Sequence, residues 1–243
     1  MEKTMLDPGD LVGVSFWIIS AAMVAATFFF WVERDRAVGK WKTSLTVAAM
    51  VTGIAAIHYF YMRDVWAVTG ESPTVFRYVD WLLTVPLQIV EFFLILTAVA
   101  VVRAALFWKL LIASVVMLVT GYIGEVVQGG LLWPMFIVGT LAWFYIIYEI
   151  FAGEASKINA GSGSVASQKA FNALRWIVTV GWAIYPIGYI LGYIGEPGAN
   201  EGTLNLIYNL ADFVNKIAFG VVIWAAATSD SERIRYEAAQ KAG

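Results

Sequence analysis

The chain has 243 residues, 60% of them hydrophobic and 14% charged, with a formal net charge of −2. A soluble domain carries about 25% charged residues, so the composition points to a membrane, and without a basic patch it argues against nucleic-acid binding. The absence of cysteine excludes disulfides and thiolate chemistry, and a single histidine argues against a histidine-rich metal site.

The first ten residues, MEKTMLDPGD, lack the continuous apolar core of a signal peptide, so none is needed or it has been removed. Seven apolar segments then follow, at 11–32, 43–62, 75–102, 104–124, 131–152, 171–195 and 203–228. Each is long enough to cross a bilayer as a helix. Strands of alternating pattern are absent, so an all-α bundle of seven transmembrane helices is expected rather than a barrel. The expected organisation is an outer segment 1–10, a membrane domain 11–228 and a cytoplasmic tail 229–243. No internal repeat marks it as an inverted-repeat transporter.

The connections divide by charge. One set carries Arg34, Arg36, Lys40 and Lys42, then Arg103 and Lys109, then Lys157, Lys169 and Arg175, and finally Arg233, Arg235 and Lys241 in the tail. The other set has Lys3 and Arg63 among the acids Asp7, Asp10, Asp64, Glu71, Glu196 and Glu201. The positive-inside rule puts the N-terminus outside and the C-terminus in the cytoplasm. The stretch DVWAVTGESPTV, between the second and third helices, has β-prone residues around a turn sequence and predicts a short hairpin. The Gly/Ser-rich stretch after Glu154 reads as a flexible linker.

The third segment, which contains RYVDWLLTVPLQIVE, carries a polar line. Asp80, Thr84 and Glu91 share one side of the helix, Gln88 lies on its flank, and Arg77 sits three residues before Asp80. Asp80 and Glu91 are separated by about 16 Å along the axis. The seventh segment carries Lys216 near its middle with Asp212 one turn before it. A buried salt bridge that only fixes helix packing is one reading of that pair. Four ionisable groups, Asp80, Glu91, Asp212 and Lys216, are too costly to bury for packing alone, and carboxylates at different depths beside a lysine suggest a proton path. His58, on the second segment, is either a packing residue or a neighbour of Asp80. The sixth segment has GWAIYP, with a kink expected at Pro186 and with Trp182 and Tyr185 one turn apart. With Trp81, Met117, Trp143 and Tyr208 these aromatics could line a pocket for a long, flat apolar ligand.

Seven helices, LADFVNKI on the last, RYVDWLLTVPLQIVE on the third and GWAIYP on the sixth resemble the microbial rhodopsins, and within them the proteorhodopsins. The resemblance covers nearly the whole chain, from about position 14 to 224. It implies a light-driven outward proton pump in a bacterial inner membrane. It implies all-trans retinal on Lys216 as a protonated Schiff base, Asp80 as proton acceptor, Asp212 as second counterion and Glu91 as cytoplasmic donor. It implies that Arg77 tunes the outer half-channel and that His58 hydrogen-bonds Asp80. Trp81, Thr84, Gln88, Met117, Gly121, Trp143, Trp182, Tyr185, Pro186 and Tyr208 match its pocket positions. Gln88 stands at the colour-tuning position, where glutamine goes with blue absorption. The family assembles as pentamers or hexamers, with Trp17 and His58 near the contact. A photosensor that signals through a partner protein is the alternative, although it would not need Glu91. A chloride pump is disfavoured by the anionic Asp80, and a retinal-free transporter or scaffold is the reading that lack of colour would support.

Overall fold

The computed structural model describes residues 6–127, 129–162, 164–193 and 201–242. The outer-side charges Lys3 and Glu196, and the end of the sixth segment at 194–195, lie outside the described residues. Seven helical stretches among the described residues are long and apolar enough to cross a membrane. With the family relationships set out below, they make this a multi-pass membrane protein. The first five crossings are α1 (Leu11–Glu33), α2 (Lys40–Thr69), α3 (Thr74–Val99), α4 (Ala104–Val127) and α5 (Leu132–Phe151). A short α6 (Glu154–Ala160) follows. The sixth crossing comprises α7 (Val165–Trp176), a π-turn at Ile177–Gly181 and α8 (Ile184–Tyr193), and the seventh is α9 (Glu201–Ala242). In a bilayer each backbone polar group must be satisfied internally, which is why apolar runs of this length fold as helices.

The helices differ in what they bury. The apolar windows of α2 and α3 are each 56% buried, whereas that of the fifth crossing is 17% buried. The α2 and α3 helices therefore lie inside the bundle, and α5 turns most of its side chains outward, among them Ile137, Leu141, Phe144 and Tyr148. The interior carries an unusual load. Arg77, Asp80, Thr84, Gln88 and Glu91 on α3 and Asn205, Asn209, Asp212, Asn215 and Lys216 on α9 are all buried.

Two connections differ from expectation. No hairpin joins α2 to α3: helix α2 continues through Val65–Thr69 and stops at Gly70, whose φ of 70° forms a left-handed cap that glycine adopts without strain. The β-prone residues stay helical because Trp66 Nε1 donates to Asp10 Oδ2 at 2.8 Å, which docks that last turn onto the start of α1. The Gly/Ser-rich stretch is not an open linker either. It forms α6 and the first turns of α7. Glu149 Oε2 accepts the Glu154 backbone N–H at 3.0 Å, and Arg103 Nη2 lies 2.9 Å from Glu154 Oε1. The tail also continues without a break, since α9 runs past position 228 to Ala242. Asp230 anchors its emerging end by accepting from Trp41 Nε1 at 2.9 Å and from Arg233.

Candidate functional site

The centre of the site is Lys216. Its ammonium bonds Asp80 Oδ2 from α3 and, at 3.0 Å, Asp212 Oδ2 one turn earlier on α9. Arg77 lies one turn before Asp80. It donates to Asn205 Oδ1 at 2.8 Å, to Asn209 Oδ1 at 2.9 Å and to the Tyr59 hydroxyl at 3.3 Å. Its guanidinium also sits 5.5 Å from the centres of the Phe16 and Tyr208 rings. Two cations and two carboxylates thus compensate one another in a space without water-exposed surface. A buried charge is tolerable only when paired and hydrogen-bonded in this way.

The two carboxylates are not equivalent. Asp212 accepts from Tyr185 at 2.7 Å, Tyr59 at 2.8 Å and Trp81 Nε1 at 3.0 Å, in addition to Lys216. Asp80 bonds Lys216 through Oδ2, while its buried Oδ1 has no hydrogen-bond partner. The implied bond from His58 to Asp80 does not form. Its Nδ1 is 3.8 Å from Asp80 Oδ1 and 3.0 Å from the Ile54 carbonyl, so the ring hydrogen-bonds the α2 backbone instead. The physical reason is local competition, because a carbonyl one turn back on the same helix is closer to the ring.

Beside this cluster lies a cavity lined by apolar and aromatic side chains. Of the expected pocket residues, Trp81, Met117, Gly121, Trp143, Trp182, Tyr185, Pro186 and Tyr208 line it. Tyr78, Val85, Phe136 and Gly139 join them. Trp81 and Tyr185 face both ways: they line the cavity and also donate to Asp212. The lysine cluster is therefore one side chain removed from the apolar space. Thr84 and Gln88 are buried on α3 but are not among the cavity-lining residues. Thr84 donates to the Asp80 carbonyl at 2.9 Å, and Gln88 Nε2 is buried without a partner.

Glu91 stands apart, three turns further along α3. It is fully buried, with the Ser44 hydroxyl of α2 as the polar group beside it. Its helix neighbour Phe92 packs edge-on against Phe171 and Phe219, at 5.4 and 6.0 Å. Sequence reasoning missed the groups that hold the centre: Tyr59, Asn205 and Asn209. It also missed Glu125, buried on α4 and accepting from the Tyr78 and Tyr208 hydroxyls at 3.1 and 3.0 Å. Glu125 had a legible signal, an acid near the end of an apolar run. Neutral polar residues inside a helix give none.

The family model described as bacteriorhodopsin-like protein matches residues 10–230. The chain belongs to the bacteriorhodopsin-like family. It is 58% identical over 228 residues to the green-light absorbing proteorhodopsin of Gamma-proteobacterium EBAC31A08, covering 93% of this chain and 90% of that one. It is 57% identical over 227 residues to the blue-light absorbing proteorhodopsin of Gamma-proteobacterium Hot 75m4, with the same two coverages, 93% and 90%. Among solved structures, the blue light-absorbing proteorhodopsin from Med12 matches with a TM-score of 0.79 and 59% identity, over 91% of this chain and all of that one. The Exiguobacterium sibiricum rhodopsin matches with a TM-score of 0.83 and 36% identity, over 91% and 97% of the two chains. The all-helical seven-span fold and the proteorhodopsin resemblance are thus both found in its relatives.

Proposed function

We propose that this protein is a light-driven outward proton pump of a bacterial inner membrane, with all-trans retinal bound covalently to Lys216. One observation carries the reading: a buried lysine is held between two carboxylates, with Trp81 and Tyr185 between that cluster and an aromatic, apolar cavity. That donor set suits retinal, because an amine can bond its aldehyde, the carboxylates compensate the resulting cation, and the aromatic walls accept a flat polyene. When bound, retinal supplies a light-driven change in the direction and proton affinity of the Lys216 nitrogen.

The chain's own residues then set the path. Asp80 takes the proton from the Lys216 nitrogen, because its Oδ1 is uncommitted whereas Asp212 is bonded to three other side chains. Asp212 holds the nitrogen in place and keeps a negative charge beside it. Arg77, on the outer side of the pair, tunes the outer half-channel, held there by Asn205, Asn209 and Tyr59. Glu91 supplies the replacement proton from the other side. Its carboxyl is buried on the same helix as Asp80, three turns away, within reach of a relay to the Lys216 nitrogen.

The charge pattern of the connections supports an outer N-terminus and a cytoplasmic C-terminus. Gln88 supports blue absorption on the resemblance alone, and green- and blue-absorbing relatives are equally similar in sequence. We further propose a homo-pentamer or homo-hexamer with Trp17, exposed on α1, and His58 near the contact. The experiment is a light-induced pH change in retinal-supplied cells. Acidification of the medium that an uncoupler abolishes is the expected result, together with a visible band that hydroxylamine bleaches in light. A coloured protein that moves no protons and binds a transducer in light would favour the sensor reading. A colourless one would overturn both.

A further inference from the structure

The sixth crossing contains a break that the proposed proton path does not use. The Trp182 N–H closes a π-turn on the Ile177 carbonyl at 3.0 Å, and the Tyr185 N–H reaches back to the Trp182 carbonyl at 3.1 Å. Pro186 has no N–H to give that carbonyl, so the regular ladder resumes only with Ile187 on Ala183. A π-turn displaces its carbonyls from the regular ladder. Two of them are taken by side chains of neighbouring helices. Trp143 Nε1 of α5 donates to the Val178 carbonyl at 2.9 Å, and Asn215 Nδ2 of α9 donates to the Gly181 carbonyl at 2.9 Å.

Asn215 is the residue immediately before Lys216. It is buried, its amide donates to the Gly181 carbonyl, and it also lies against the Tyr185 hydroxyl. The fit is close: a Cβ placed on Gly181 would fall 1.9 Å from Asn215 Oδ1. One turn after Gly181, Tyr185 donates to Asp212. The lysine helix and the broken sixth crossing are therefore hydrogen-bonded at two points, one through Asn215 and one through Tyr185.

We infer that Asn215 is a positioning residue that clasps the π-turn of the sixth crossing to the lysine helix. The clasp couples the setting of the Lys216 backbone to the register of that turn. Asn215 and Lys216 share a peptide bond, so a twist of the lysine backbone pulls directly on the Gly181 carbonyl. Conversely, relaxation of the π-turn to a regular helix moves that carbonyl out of reach of Asn215. The coupling to proton transfer rests on the proposed role of Lys216; the clasp itself does not.

The test uses the full chain in two states. Without retinal, amide hydrogen exchange is followed by mass spectrometry across positions 177–185. Asn215→Ala is expected to raise exchange there by about tenfold, the equivalent of one lost hydrogen bond, and to leave α2 unchanged. In the same state, thermal unfolding of Gly181→Ala, Asn215→Ala and the double variant forms a cycle. The double variant is expected to be more stable than Gly181→Ala alone, because removing the amide makes room for the added methyl group. Unchanged exchange, or a strictly additive cycle, would overturn the clasp. With retinal, flash-resolved absorbance of Asn215→Ala is expected to show an altered return time at the Lys216 nitrogen with the steady band retained. Raised exchange with an unaltered return time would leave Asn215 a structural residue and overturn the coupling. If the parent protein forms no visible band, the reading of Lys216 fails while the two retinal-free measurements still decide the clasp.

Discussion

Asp80 and Asp212 flank the same ammonium, yet the bundle treats them oppositely. Asp212 is bonded to Tyr59, Trp81 and Tyr185 as well as to Lys216, so groups from α2, α3 and the sixth crossing all fix it. Asp80 gives one oxygen to Lys216 and leaves the other free. On the proposed reading, two carboxylates of equal chemistry become an anchor and an acceptor through the number of donors around them. A carboxylate already accepting several hydrogen bonds loses more by protonation than one that accepts few.

The sharpest way to break that comparison is Asp80→Asn. It is expected to abolish light-driven acidification while the protein still binds retinal, measured as pH change in cells and as the visible band of the purified protein. Normal pumping by that variant would move the acceptor role elsewhere. Next in size is Glu91→Gln, which removes the buried carboxyl three turns along α3 from Asp80. The expected effect is a slowing of Lys216 reprotonation by about 10²-fold, the lower end of what a positioned proton donor contributes. Flash absorbance checks it, and a small permeant weak acid in the medium should restore part of the rate. Indifference to this substitution would remove Glu91 from the path.

A smaller effect is expected on the anchor. Tyr185→Phe deletes one of the donors to Asp212 at a cost of about 1.5–3 kcal/mol, the range for a hydrogen bond to a charged group. It should lower the thermal stability of the retinal-loaded protein and narrow the difference between the two carboxylates without stopping the pump. Loss of all pumping would mean that Asp212, rather than Asp80, carries the transfer.

The parts of this arrangement that were readable in the chain are those that the bilayer makes costly. Seven apolar runs predict seven helices because lipid offers the backbone no partner. Asp80, Glu91, Asp212 and Lys216 stand out because charges in such runs need a reason. Hydropathy marks the bilayer rather than the helix, so the extensions of α2 to Thr69 and of α9 to Ala242 were hidden. The α6 helix was hidden for another reason: its N-terminus is capped by Glu149, a residue of the preceding helix. Tyr59, Asn205 and Asn209 look like ordinary polar residues in sequence. Their role appears only when α2, α3 and α9 bring them to Arg77 and Asp212.

The smallest expected effect concerns His58, and here the geometry departs from the family resemblance. Its Nδ1 is committed to the Ile54 carbonyl at 3.0 Å, and 3.8 Å separates it from Asp80 Oδ1. A contact of that length is too long for a hydrogen bond. His58→Asn keeps a donor of similar reach toward Ile54 and removes the titratable ring. It is expected to change the pH at which the visible band shifts by less than the equivalent of about 1 kcal/mol. A spectral titration of the purified protein measures this. A larger change would show that His58 turns from Ile54 to Asp80 when retinal is bound, and the free oxygen that distinguishes Asp80 from Asp212 would then be occupied in the working pigment.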